Sequence, residues 1–600
     1  MKKKLLILLS LLFFSPFVIN AEELKMELQK NWGGNNRDGF DDILQTKDGG
    51  YIALLNSDST DIEGITNKGY EDAIILKYDK DFNVLWQKSW GGNSSDYLDQ
   101  ILLTEDGGFL TIGTTYSTDI VGLTNRGRAD AIIVKFDKDG NMVWQKKLGG
   151  SNSEYFNSFI QTKDEGVIVI GDFESTDIDG LPNKGRRDAI MVKYDKDGNL
   201  LWQKSLGGNN YDEYYEVLET EDGGLIAFGT SNSTNIEGIT NKGADDVIII
   251  KYDKDGNLLW QKSWGGNSWE YINDVIQTED GGFITVGSFM SDNIEDIVYT
   301  DNEDAVIIKY DKNGDVVWQK SWGGNEYEIF SNIMQTKDEG FIITGKSSST
   351  DIEGITNKGT DDAIIVKYDK NGNVIWQTSY GDKLDQRINS AVIDKKGNLI
   401  VCIDSFYIDE GEYYTGEEDS TVISYDKDGE LLWQKNWGGS GTDIASKLLE
   451  TEDNELIVLG WTESSDIEGM TAYGSKDAFI LKYSYEYNLE NITTENGTSA
   501  VEQKGKYGII TPTPNEGYEV DKIIVKDNDG NVLDVEATKQ EDGTYSFDLY
   551  TDVSVEVIYK EVIENPKTGI LDVITIIFVG FAISISGFFI VKKYNERLEF

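Results

Sequence analysis

The stretch DKDGNLLWQKSLGG, residues 195–208, admits two readings at first sight: a divalent-cation loop, or the turn of a β-hairpin with its outgoing strand. A calcium loop of the helix–loop–helix kind places acids at positions 1, 3 and 5, glycine at 6 and glutamate at 12. Asp195, Asp197 and Asn199 meet the first three requirements, but position 6 is Leu200 and position 12 is Leu206. Both diagnostic places fail. Asp-Gly between two alternating segments is the ordinary hairpin signal, with glycine or asparagine supplying the positive φ. The stretch therefore reads as a turn whose Trp202 packs against a neighbouring unit.

That neighbouring unit is written in the same chain. The tryptophan recurs as Trp86, Trp144, Trp202, Trp260, Trp318, Trp376 and Trp433, spaced by 58 residues five times and then by 57. A fixed period of this length means units that bury their apolar faces on one another. Within the third copy, segments 156–161, 167–171, 189–194 and 200–206 have short β-patterns separated by turn chemistry. Four antiparallel strands per unit predict a propeller blade, and no sustained 3.6-residue pattern supports a helical solenoid. The last copy, 437–483, stops without a fourth strand, while residues 25–32 align with 83–90 and have no preceding strands of their own. The expectation is an all-β, eight-bladed propeller over residues 22–484, closed by an N-terminal strand that removes the open edge.

Between the third and fourth strands the turn resembles the Asp box of sialidases and related propellers, S-x-D-x-G-x-x-W. Asp197 and Trp202 match, Gly198 comes one residue early, and Asp195 replaces the serine. That box is itself a folding device, so the resemblance implies architecture. Sialidase chemistry would need three arginines around a carboxylate, whereas Arg126, Arg128, Arg186 and Arg187 sit in equivalent loops of two adjacent units. The sequence predicts no enzyme.

Two acidic positions recur. An aspartate stands at the entry to each third strand: Asp72, Asp130, Asp188, Asp246, Asp304, Asp362, Asp419 and Asp477. A carboxylate there can accept backbone N–H groups of a tight loop. The other position follows the Gly-Gly loop: Asp38, Asp96, Glu154, Asp212, Glu270, Glu328 and Asp443, with Gln386 as the exception. Each either caps nearby amides, including those of the Gly-Gly loop, or joins a ring of carboxylates that attracts a cation, with calcium the possible ion. On the same face lies the loop between second and third strands, 348–362 in the sixth copy; the fifth (291–304) and seventh (406–419, with Tyr407, Tyr413 and Tyr414) depart from it. Departures from pseudo-symmetry are where specific recognition is expected.

Composition narrows the chemistry. The net charge is −52, which repels nucleic acid and anionic lipid. There is no histidine, so serine–histidine and cysteine–histidine nucleophile systems and histidine-ligated zinc are excluded. The single cysteine, Cys402, lies in an apolar run and reads as a buried small hydrophobe, and no other cofactor is expected.

Both ends carry processing signals. Lys2, Lys3 and Lys4, an apolar run and a short stretch to Ala21 form the pattern of a secretory signal peptide over residues 1–21. Near the other end, residues 563–600 hold Asn565, Pro566, Lys567, Thr568 and Gly569, then an apolar span 570–591, then Lys592, Lys593 and Arg597. This order resembles the NPxTG-type sorting signal of Gram-positive surface proteins, which implies cleavage between Thr568 and Gly569 by a sortase and linkage to cell-wall peptidoglycan. Residues 485–562 are similar to the divergent internalin B-repeat modules of bacterial surface proteins, carried by TPTPNEGYEV at 511–520 and the alternating strand at 553–557. The resemblance implies a small β stalk. Taken together, the sequence predicts a secreted, wall-anchored propeller that binds an extracellular protein or glycan. A purely structural surface-layer component is the alternative, and a glycan-acting enzyme a third.

Overall fold

The computed structural model describes residues 23–562 apart from 126, 301, 410–411, 415–419, 528–529 and 534. The leader at 1–21, the pentapeptide 565–569, the apolar span 570–591, Arg126 and Asp419 lie outside the described residues. All described elements are strands, and no helix among the described residues is long and apolar enough to cross a membrane. The chain divides into two compact units at Glu486/Tyr487.

Within the first unit each repeat folds as one antiparallel sheet with four strands in meander order, the seventh adding Glu412–Tyr414 beside Leu399–Asp409. The third copy has Glu154–Gln161, Val167–Phe173, Asp188–Tyr194 and Leu200–Leu206. The fourth strand lies where its pattern predicts, while the first three run further toward one rim. There Glu154 pairs with Phe173 and Phe173 with Asp188, so backbone pairing carries the strands past the last alternating side chain. Eight such sheets are built from residues 23–486. The eighth draws on both ends of the unit: Asp443–Glu450, Glu455–Thr462 and Asp477–Glu486 are joined by Glu23–Trp32, antiparallel to Asp477–Glu486 from Glu23↔Glu486 to Trp32↔Ala478. The fold is a propeller-type repeat.

The packing explains why the middle strands are apolar without alternation. Successive side chains of a strand point to opposite faces. In Tyr51–Ser57, Ile52 and Leu54 pack with Leu98, Phe109 and Ile132 of the second sheet, whereas Tyr51, Ala53 and Leu55 pack with Ile457, Leu459 and Ile480 of the eighth. Both faces are core, so both need apolar residues. Six third strands also carry a buried lysine next to their last residue: Lys77, Lys135, Lys193, Lys251, Lys309 and Lys367. Each ammonium reaches the aspartate of the turn before the second strand, at 2.7–3.2 Å.

The opening stretch folds as a turn. Gly198 N–H donates to the Asp195 carbonyl at 2.9 Å, and the Asp195 carboxylate accepts from the Asp197 and Asn199 N–H groups and from Asn199 Nδ2. Its oxygens are spent on the turn itself. Gly198 has φ +77°, and a Cβ added there would fall 2.7 Å from the Trp144 indole of the preceding sheet. The same fit joins Trp86 to Gly140, Trp202 to Gly256, Trp260 to Gly314, Trp318 to Gly372 and Trp376 to Gly429. Gly256→Ala is therefore expected to cost about 2 kcal/mol, from left-handed backbone and a displaced Trp202. Gly223→Ala, equally positive in φ but with open space around its Cα, isolates the backbone part and should cost about half as much. Equal losses in urea unfolding would remove the indole from the explanation.

At the closing junction this fit is inverted. Leu28 occupies the tryptophan position of the N-terminal strand, and the turn of the first sheet carries Phe82, φ +57°, in place of glycine. The Phe82 ring is buried and stacks on Tyr51 at 4.4 Å, with Leu28 packed against the same cluster.

The second unit holds two small sheets. One orders Leu489–Ile492, Val553–Glu561 and Tyr518–Lys526, with the first pair parallel. The other orders Gly497–Lys504, Tyr507–Pro514, Tyr545–Asp548 and Thr538–Lys539. Its buried residues include Ile510, Val525, Phe547, Val555 and Val557.

Candidate ligand-binding face

The seven acids that follow the Gly-Gly loops each open or nearly open a first strand and are at most 1% exposed. Asp38 accepts the Gly34 N–H at 2.8 Å and the hydroxyls of Ser57 and Ser59 at 2.5 and 2.8 Å. Asp96 repeats this with Gly92, Thr115 and Ser117. Glu154, Asp212, Glu270, Glu328 and Asp443 accept the N–H groups of Gly150, Gly208, Gly266, Gly324 and Gly439 at 2.7–2.9 Å. Gln386 accepts the Asp382 N–H at 3.3 Å. Each side chain serves the turn at its own sheet junction. Among the described residues no group of three or more Asp, Glu, Cys or His is disposed to hold a metal ion.

The aspartates at the third-strand entries lie on the other side of the same turns. Asp72, Asp188, Asp246 and Asp362 are fully buried or nearly so and accept the N–H groups of Lys68, Lys184, Lys242 and Lys358 at 2.9–3.0 Å. Burial pushes Asp72, Asp188 and Asp246 up to about 6, outweighing the amide each accepts. The first glycine of the loop is what lets two carboxyls approach. A Cβ on Gly33 would lie 2.5 Å from Asp477 and 2.9 Å from Asp38, and one on Gly265 2.5 Å from Glu270 and 2.7 Å from Asp246.

Beyond these sockets the first strands are stitched side by side. Every first strand has a bulge in its middle, and the bulged residues are Asp41, Asp99, Asn157, Tyr215, Asn273, Ser331, Asn389 and Ser446. The asparagines bridge to the next sheet: Asn157 Nδ2 donates to the Tyr214 carbonyl at 2.8 Å, Asn273 to Phe330 at 2.7 Å and Asn389 to Ala445 at 3.0 Å. Asp41 and Asp99 break this rule, since an ionised carboxylate has no proton to give.

Those two acids line a cavity of about 390 Å³ where the eighth, first and second sheets meet, together with Arg37, Gly39, Asn56, Glu71, Ser446, Trp461 and Lys476. Asn56 Nδ2 donates to Asp41 at 2.8 Å, the Tyr97 hydroxyl donates to Glu71 at 3.0 Å, and Arg37 pairs with Asp58 at 3.1 Å. Lys476 Nζ lies 3.6 Å from the centre of the Trp461 ring. Among the described residues neither the Lys476 ammonium nor the Asp99 carboxylate has a hydrogen-bond or ion-pair partner. Asp41 and Asp99 are exposed to solvent, and Lys476 is half-buried.

Among the described residues, two other departures from symmetry find partners within the protein. Arg187 is held by Asp172 at 3.2 Å and by Glu174 and Glu213 at 2.8 Å. In the fifth loop Glu303 is buried and accepts the Ser288 hydroxyl. The side chains of 406–419, including Tyr407, Tyr413 and Tyr414, are outside the described residues. The cavity lies away from the fifth and seventh loops that the sequence singles out. Its signals are short: Gly39 where the second, third and fifth copies have tyrosine, and the lone Trp461 and Lys476 of the last copy.

A family model described as outer membrane protein assembly factor BamB matches residues 303–477. The uncharacterized WD repeat-containing protein L264 of Acanthamoeba polyphaga mimivirus is 20% identical over 476 residues, covering 61% of this chain and 34% of that protein. The regulatory protein FlaEY of Caulobacter vibrioides is 24% identical over 413 residues, covering 66% of this chain and 38% of that protein. The chain spans about a third of the length of these relatives. Among solved structures, Sqt1 from Chaetomium thermophilum aligns at 10% identity and TM-score 0.38, over 76% of this chain and 99% of that one. A point mutant of NanB sialidase from Streptococcus pneumoniae aligns at 9% identity and TM-score 0.28, over 77% and 94%.

Proposed function

We propose that this chain is a wall-anchored surface protein whose eight sheets are the blades of one closed propeller, presenting its loop face to an extracellular protein or glycan. The observation that carries the location is the order in sequence of Asn565–Gly569, the apolar span 570–591 and the basic residues Lys592, Lys593 and Arg597. The observations that favour closure run through the N-terminal strand. Trp90, Trp264 and Trp322 each donate an indole N–H to the glutamine of the next sheet. Trp437 donates likewise to Gln29 at 2.9 Å, and Trp32 to Gln87 at 3.1 Å, so the strand takes its place in that series on both sides. The loop face is favoured for binding because Lys476, Asp41 and Asp99 face one cavity there, lined as well by Trp461.

Thr568→Ala is expected to leave the protein in the membrane fraction and extractable by detergent. Release of the variant only by a wall hydrolase would refute the anchoring. Glycan arrays and extracellular-matrix binding of the full chain test the second half: an inert surface would favour the structural-component reading.

A further inference from the structure

We propose that the cavity between Trp461, Lys476, Asp41 and Asp99 is the ligand pocket of the loop face, and that it takes an uncharged or amine-bearing sugar residue. The inference rests on the reading of this face as the binding face and adds the site and the class of ligand.

Pseudo-symmetry provides an internal control that a unique site lacks. The residue before each third strand can be aligned by one shared bond, its carbonyl accepting the N–H at the head of the next first strand. By that bond Lys476 is equivalent to Glu71, Ala129, Arg187, Asp245, Glu303 and Asp361. Most of these are acidic, and the other cation, Arg187, is neutralised by three carboxylates. Among the described residues at this position, Lys476 alone offers a cation without a carboxylate partner to a cavity.

The neighbouring strands depart at the same place. By register Gly39, opposite Asn56, is equivalent to Tyr97, Tyr155, Glu213, Tyr271, Ile329, Arg387 and Ile444. No backbone demand explains the glycine: its φ is not in the left-handed region, and a Cβ would meet Lys476 and Trp461 at 3.6–3.8 Å, an ordinary contact. What the missing side chain creates is space. Asp41 and Asp99 stand where other sheets use asparagine to bridge to the next strand, so structural bonds are given up on both sides of that space.

The walls define the ligand. Lys476 and Asn56 offer donors, and Asp41, Asp99 and Glu71 offer acceptors, within a volume at the lower end of small-ligand sites. Adjacent hydroxyls of a sugar both accept and donate, which suits an ammonium and carboxylates that face one cavity. An acidic sugar would set its carboxylate against Asp41, Asp99 and Glu71, with Lys476 and an Arg37 already paired with Asp58 to offset them, in a chain of net charge −52. An amine would be drawn to them.

The test titrates the full-length chain by calorimetry with glucose, galactose, glucosamine, glucuronate and the dipeptide alanyl-alanine. At least one of the first three is expected to bind, and glucuronate about tenfold more weakly or not at all. Gly39→Tyr restores the residue of three sister sheets and should weaken binding at least tenfold while leaving the melting temperature unchanged. Asp99→Asn, the residue of three others, should weaken it several-fold and keeps the test open if Gly39→Tyr misfolds. Equal binding by both variants overturns the site while leaving a binding face in place. Preference for glucuronate or the dipeptide overturns the ligand class. Binding of none of the five overturns the proposal, and the array and matrix screens then decide separately whether the face binds anything.

Discussion

Removing residues 23–32 is expected to lower the melting temperature by more than about 10 °C and to make the protein aggregate. Three losses coincide. Asp477–Glu486 becomes a bare edge with unpaired N–H and C=O groups. The Gln29 and Trp32 bonds to the seventh and first sheets disappear. The apolar cluster around Phe82, Tyr51 and Ile480 loses its cover from Leu28 and Trp32, and exposure of a few large side chains is worth several kcal/mol, comparable with a domain's net stability. An unchanged melt would refute closure. A finer version exploits the inverted fit at this junction. Phe82→Gly alone leaves a void and should cost about 3 kcal/mol or more, and Leu28→Trp alone overpacks a filled site. Made together, they recreate the tryptophan–glycine pair of the other junctions, and the double variant is expected to recover about 2 kcal/mol relative to the sum of the singles. Strict additivity would show that the two side chains do not share one space.

Stability is expected to rise on acidification from pH 7.5 to about pH 4.5, with a gain in melting temperature of roughly 5–10 °C, and to fall again below pH 4. Asp72, Asp188 and Asp246 titrate near 6 in the folded chain, against about 3.9 when unfolded. Between those values the folded state binds more protons, so the stability these groups contribute is complete below pH 4 and is lost as pH rises through 6. The opposite case sits on the turns before the second strands. Burial pushes Asp48, Asp106, Asp280 and Asp338 upward, but the threonine hydroxyl, lysine ammonium and glycine amide together outweigh it and hold them at about 2. Their stabilisation is lost as pH falls through that range, and it is modest because these carboxylates are well solvated. Asp72→Asn, Asp188→Asn and Asp246→Asn together should reduce the rise between pH 7.5 and 4.5, the remainder coming from groups such as Asp172 and Glu216, which burial lifts to about 7. A melting temperature that declines steadily from pH 7.5 downward would contradict the junction carboxyls as the cause.

Which parts of this molecule can be read without a structure follows from the range of the interactions involved. The hairpin at 195–199 is local: Asp195 bonds amides two and four residues on and Gly198 supplies its own φ, so five residues suffice. The four-strand unit and the N-terminal strand are legible because a 58-residue period displays the same solution repeatedly, and an incomplete last copy points to its missing piece. Strand ends are not legible, because pairs such as Glu154↔Phe173 depend on a partner that side-chain alternation does not mark. The acids after the Gly-Gly loops could be found by position, yet their surroundings could not: Asp38 is filled by Ser57 and Ser59, and only folding brings those hydroxyls to it. The cavity is the extreme case. Gly39, Asp99, Trp461 and Lys476 lie far apart in the chain and meet only because the two ends of the unit share one sheet. Repetition in the sequence determined the scaffold by itself; the site was decided by tertiary structure, because it is built from unrepeated residues that no local rule places side by side.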